Sequence, residues 1–216
     1  MSDVLAISSD VAFTAAVKAI QERKGSRRAY LRMEQSGGFR TEIDAELGAF
    51  IADQTSFFLA TANAVGQPYI QHRGGPRGFL RVLDPQTIAF ADYRGNRQYI
   101  SMGNLVENPR VHVFLIDYAQ RARLKIWGEA RVIEDDPALL ALLMPEGYDA
   151  KPEQAFVIRV TALDENCPKH IPVRLDAAEV AAVLADRDTT IARLEAEVRR
   201  LREERPTFTR GPEGGP

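Results

Sequence analysis

The chain has 216 residues, of which 45% are hydrophobic and 27% charged, which fits one globular domain with room for an appendage. A net charge of −2 gives no electrostatic case for a nucleic-acid partner. One cysteine, Cys167, excludes an internal disulfide. No apolar run is long enough for a membrane span, and MSDVLAISSDVAF lacks the basic and apolar regions of a signal peptide. The expectation is a cytoplasmic protein with no membrane partner.

In chain order, SSDVAFTAAVKAIQERKGS predicts a helix capped at Ser9 and ended by Gly25, within an N-terminal helical extension, 1–39. RTEIDAELGAFIADQ, 40–54, predicts a second, with Ile43, Leu47, Phe50 and Ile51 recurring every three or four residues. The texture then turns to strands. Thr55–Arg73 reads as two around a turn at Val65–Gly66, and Gly78–Tyr93 as two more around Asp84–Pro85. Arg110–Tyr118, Arg123–Glu134 and Phe156–Asn166 follow, with a short helix at Asp136–Met144 in which Asp136 caps and Pro137 comes first. Short turns and the lack of a regular strand–helix alternation predict a mainly β, α+β domain over 40–175: an antiparallel barrel with helices packed at its ends.

From Asp176 to Glu204 the apolar residues Val180, Leu184, Ile191, Leu194, Val198 and Leu201 follow steps of four, seven, three, four and three, with Arg187 at the skipped position. That is a heptad-like seam about three repeats long, on a helix that either lies on its own barrel or pairs with another helix. The Pro/Gly-rich tail, 205–216, is expected to be disordered.

Three cationic clusters lie beside strands. YRGNRQ combines Gly95, Asn96, Arg97 and Gln98, and the following YISMGNLVEN can open a helix. An arginine fork with free helix N–H groups suits a phosphate, although a solvated surface turn has the same composition. RARLKIWGEARV sets Arg121, Arg123 and Lys125 on one face of a strand, as either a solvated edge or an anion-facing surface. QHRGGPRGF adds His72, Arg73 and Arg77.

The texts FxxxxxxxGxPxIxxRGG, GNRQYISMGNLxxNPRV and RLKIWGEARV together resemble the flavin-binding split-barrel proteins of the pyridoxamine 5′-phosphate oxidase-like superfamily, over about Arg40 to Glu134 and on through FVIRVTALDENCPKHIP. The resemblance implies an antiparallel split barrel that binds FMN without a covalent bond at a homodimer interface, both subunits contributing. By position, Asn96, Arg97 and Gln98 match a Ser-Arg-Lys turn that holds the FMN phosphate, with Gln98 in place of the lysine. Gln71, His72 and Arg73 match the strand passing the flavin ring, Gln71 replacing its arginine. Arg123 falls near a glutamine that reaches the flavin from the partner side, Lys125 follows on the same face, and Asn104 lies in a short insertion beside the cofactor.

The resemblance thus implies an FMN-dependent oxidoreductase with a small-molecule substrate. No catalytic acid–base pair is identified. The alternatives are a non-catalytic flavin-binding or interaction protein, and a member of the same fold using F420 or haem. The oxidases' C-terminal substrate segment, of Arg-Leu-His-Asp-Arg character, has no clear counterpart in ENCPKHIPVRLD, so vitamin B6 oxidation is not expected. Cys167 and His170 give only two ligands at metal-like spacing, and no metal is expected. His112 is expected to face away from Val111 and Val113, and Trp127 to share the Arg123–Lys125 face.

Overall fold

A computed structural model describes residues 7–165 and 168–204. Contacts divide the chain into two compact units, Met1–Pro172 and Val173–Pro216. The expected tail, 205–216, and Cys167 lie outside the described residues.

The N-terminal part departs from the single helix expected. Ser9 sits in a short 3-10 turn, Ser8–Val11, and α1 (Ala15–Lys24) begins after Thr14, whose hydroxyl accepts from Val17 N at 3.3 Å. Gly25 ends α1 at φ 77°, a left-handed cap that costs glycine little. The sequence reading missed α2 (Arg27–Gln35). Buried Glu34 ties it to α1 by pairing with Lys18 at 3.2 Å, and pairs with Arg27 within α2. α3 (Ala45–Asp53) starts later than expected because Asp44 accepts from Leu47 N at 2.9 Å, and it buries Leu47 and Ile51.

The strands are β1 (Ser56–Ala62), β2 (Pro68–Gly74), β3 (Leu80–Asp84), β4 (Thr87–Tyr93), β5 (Arg110–Asp117), β6 (Ala122–Ile133) and β7 (Pro152–Glu165). α4 (Ile100–Glu107) joins β4 to β5, and α5 (Pro137–Leu143) joins β6 to β7. All pairings are antiparallel, in the order β2-β1-β5-β6-β7-β4-β3.

This corrects the split β-barrel expected from the sequence. The sheet is open: among the described residues β2 pairs only with β1, and β3 only with β4. It curls enough to bring Phe57 of β1 to 5.1 Å from Phe90 of β4, with β5, β6 and β7 lying between those strands in the order. No backbone ladder crosses from β2 to β4; the ion pair of Arg73 with Asp92 does. Alternation marks the face each strand buries, but it does not show whether two edges meet.

The concave face holds the core, including Phe57, Leu59, Phe90, Val113, Ile126, Phe156 and Ile158. At Gly128 the β6–β7 register shifts, and a Cβ there would lie 2.4 Å from Arg159 O, so the strands approach this closely only because the residue is glycine. In the second unit, α6 (Ala177–Glu203) is a single 27-residue helix. Among the described residues no helix is long and apolar enough to cross a membrane.

Candidate functional site

The segment between β4 and α4, residues 94–99, is held by backbone geometry more than by burial. Arg94 N donates to Lys151 O at 2.8 Å, and Asn96 Oδ1 accepts from Gln98 N at 3.3 Å. Arg97 and Tyr99 adopt left-handed conformations, at φ 60° and 53°. Such turns are uncommon for residues with side chains and cluster where a loop is held for a purpose. Tyr99 precedes α4 without a side-chain cap, and the first helical bond runs from Gly103 N to Tyr99 O at 2.8 Å. The amides of Ile100, Ser101 and Met102 therefore begin a helix beside the loop.

A cavity of about 260 Å3 opens between this loop, β2, the end of β4 and the start of β7. Five predicted residues line it together: Gln71, Arg73, Asn96, Arg97 and Gln98. Arg97 Nε donates to Tyr99 Oη at 2.9 Å, which raises the guanidinium's proton affinity. Gln71 Oε1 accepts from Ser101 Oγ at 2.9 Å. Arg73 pairs with Asp92 and lies 5.1 Å from the Phe156 ring centre. Its Nε is buried without a hydrogen-bond partner among the described residues.

Two acids that sequence reasoning missed share this cavity. Burial pushes the Asp92 carboxyl above its usual range, with Arg73 and a 2.6 Å hydrogen bond from Gln154 Nε2 acting against it. Glu153 lies 3.7 Å from Arg94 Nε and 4.0 Å from Arg97 Nε. The signal for Asp92 was a charged residue inside the strand AFADY. Glu153 carried none, because it reaches the loop from 54 positions beyond Tyr99.

The remaining predicted residues are elsewhere. Asn104 donates to Thr61 Oγ1 at 2.9 Å and does not line the cavity. His72, Arg123 and Lys125 lie on the opposite face of the sheet. Cross-strand pairing sets Asp164, Lys125, Phe114, Phe58 and His72 in one row across β7, β6, β5, β1 and β2. Lys125 Nζ is 3.1 Å from Asp164, and the Phe58 and His72 rings meet at 5.7 Å. The next row places Trp127 opposite His112, and Trp127 stacks on Phe39 at 5.4 Å. His112 does face away from Val111 and Val113, and Trp127 does share the Arg123–Lys125 face. Burial, then the Lys125 charge, lowers the His112 pKa.

Among the described residues no group of three His, Cys, Asp or Glu side chains is arranged to hold a metal ion. His170 is exposed, in a left-handed turn at φ 65°.

Residues 43–167 match the family model described as pyridoxamine 5′-phosphate oxidase. Solved structures with similar chains include HupZ of Group A Streptococcus, at 18% identity over 57% of this chain and 94% of that one, TM-score 0.46. An FMN-binding protein from Syntrophomonas wolfei subsp. wolfei is 12% identical over 68% and 97%, TM-score 0.46. General Stress Protein 26 from Bacillus anthracis str. Sterne is 17% identical over 56% and 91%, TM-score 0.43. No curated protein matches the chain at a significant level.

Proposed function

Because the chain belongs to the pyridoxamine 5′-phosphate oxidase family through residues 43–167, we propose that it is an FMN-binding oxidoreductase that acts as a homodimer on a small substrate. The observation that carries the reading is the division of the predicted site residues between two faces of one sheet. Gln71, Arg73, Asn96, Arg97 and Gln98 line the cavity, whereas His72, Arg123 and Lys125 are on the face behind them. One chain cannot direct both sets at one ligand, but two chains can, one supplying the cavity and the other the row behind β2, β1, β5 and β6. Size favours the same arrangement, since about 260 Å3 is below the roughly 300–1,000 Å3 usual for small-molecule sites.

The donor set fits the phosphate end of FMN. Arg97, Asn96, Gln98 and the uncapped start of α4 would hold it, in a loop whose left-handed turns already fix the backbone. Gln71 and Arg73 would border the rest of the cofactor, with His72, Arg123 and Lys125 of the second copy facing it. When bound, FMN supplies hydride or single-electron transfer at its ring. The cations Arg73 and Lys125 would favour negative charge gathering beside them, although Asp92 and Asp164 each offset one.

The test is to release any cofactor from the purified protein, identify it by mass spectrometry, and measure the native mass by light scattering. FMN in a dimer is expected. A well-folded monomer that takes up no FMN at micromolar concentration overturns the reading. Reduction of the bound flavin by NADH or NADPH then separates an oxidoreductase from a flavin-binding protein without catalysis.

A further inference from the structure

α6 is a helix about 40 Å long at 1.5 Å per residue, with a seam that its own unit leaves uncovered. Val180, Leu184, Ile191, Leu194, Val198 and Leu201 are between 37% and 53% exposed. An isolated helix gains little from propensity alone, and an apolar stripe this regular gains stability by being buried.

We infer that two copies of the chain pair through α6 as a parallel, in-register, two-stranded coiled coil. The seam alternates steps of four and three, which places Leu184, Ile191 and Val198 at a positions, and Val180, Arg187, Leu194 and Leu201 at d positions. β-branched residues at a with leucine at d favour two parallel strands, and the C-terminal half, Ile191, Leu194, Val198 and Leu201, has that arrangement.

The charges decide direction. In parallel register Glu197 of each helix flanks the position of Arg202 on the other, an attractive pair made twice. Arg187, the one charged residue in the seam, meets Asp188 of the other copy. Reversing one helix with Leu184 to Leu201 fully overlapped sets Asp188 against Glu195, like charges, and the reversed register that would set Asp188 against Arg202 leaves Val180 and Leu184 without partners. A charged residue in a seam costs stability and selects register, so Arg187 disfavours slippage by a heptad, which would set it against Leu194. This pairing is independent of the flavin reading.

Cys167 is the only cysteine, so Cys167→Ser in the full chain gives a background for site-directed cross-linking. Leu194→Cys and Leu201→Cys at seam positions are compared with Ala192→Cys on the outer side, under diamide oxidation, by mass without reductant. Both seam variants should form a disulfide-linked dimer at least tenfold faster than Ala192→Cys. Adding Glu197→Lys should slow the seam cross-link several-fold, and adding Arg202→Glu to that should restore it. Equal rates at all three positions, or no dimer at either seam position, overturn the pairing. A seam cross-link unaffected by Glu197→Lys overturns the parallel register.

Discussion

Arg97 and Glu153 set the electrostatics of the loop between β4 and α4. Arg97 has a half-exposed guanidinium, anchored at Nε to Tyr99 and otherwise open toward the cavity. If it grips the FMN phosphate, Arg97→Ala should weaken FMN by about 1.5–3 kcal/mol, the range of a charged hydrogen bond. Riboflavin, which lacks the phosphate, should lose much less. Fluorescence titration of both ligands decides the matter, and equal losses would place the phosphate elsewhere. Glu153 makes the opposite prediction. Its carboxylate occupies the space between Arg94 and Arg97 that an anion would use. Glu153→Gln should therefore tighten FMN about two- to fivefold, the scale of an exposed ion pair, and leave riboflavin unchanged. Weaker FMN binding in this variant would mean that Glu153 positions the two arginines instead of competing for them. Arg97 was legible because a cation stood in a glycine-containing turn before a helix, but Glu153 was not, since it lies on β7 and its partners come from a loop distant in sequence.

Local pattern carried the elements further than their arrangement. Periodicity and caps placed α5 and the seven strands, because Asp136, Pro137 and the alternation of strands such as VHVFL act within a few residues. They misplaced the first helix, where Thr14 outcompetes Ser9 as a cap, and they missed α2, a polar helix held by the buried Glu34 rather than by an apolar stripe. The open sheet was out of reach for another reason: β2 and β4 are joined by Arg73 and Asp92, a side-chain contact that alternation does not encode. Alternation did place His112 on the outer side of β5, and its environment has a measurable consequence. Burial, then the charge on Lys125, holds the imidazole below its usual 6.5, so the unfolded chain takes up the proton first as pH falls. The stability associated with neutral His112 is complete above about pH 6.5 and is lost as the pH drops toward the lower folded value. The melting temperature should accordingly be higher at pH 7.5 than at pH 5. His112→Phe keeps a ring against Trp127, 4.9 Å away, and should reduce that difference. An unchanged difference would assign the acid sensitivity to the carboxylates instead.

For the molecule as a whole, family membership does not bring the family's named reaction with it. The matched residues end at 167, and the chain continues through exposed Lys169 and His170 into a unit made of a long helix. Oxidising a phosphorylated B6 amine requires a second anion-holding group besides the one on the FMN phosphate, since specificity of this kind rests on charged or hydrogen-bonding contacts that a competitor lacks. The cavity lining offers two cations, Arg73 and Arg97. Arg97 belongs to the cofactor's phosphate in the proposed reading, and Arg73 is tied to Asp92 beneath the hydrogen bond from Gln154. Nearby Glu153 adds negative charge that repels a second phosphate. Flavin-loaded protein given pyridoxamine or pyridoxine 5′-phosphate should thus yield peroxide and pyridoxal phosphate far more slowly than about 1 s⁻¹, the low end of ordinary enzyme turnover. An authentic oxidase assayed alongside sets the scale. Turnover at or above that rate would overturn the prediction, and repeating the assay with His72→Ala, Lys125→Ala and Arg123→Ala would then show whether the second copy's row supplies the missing charge.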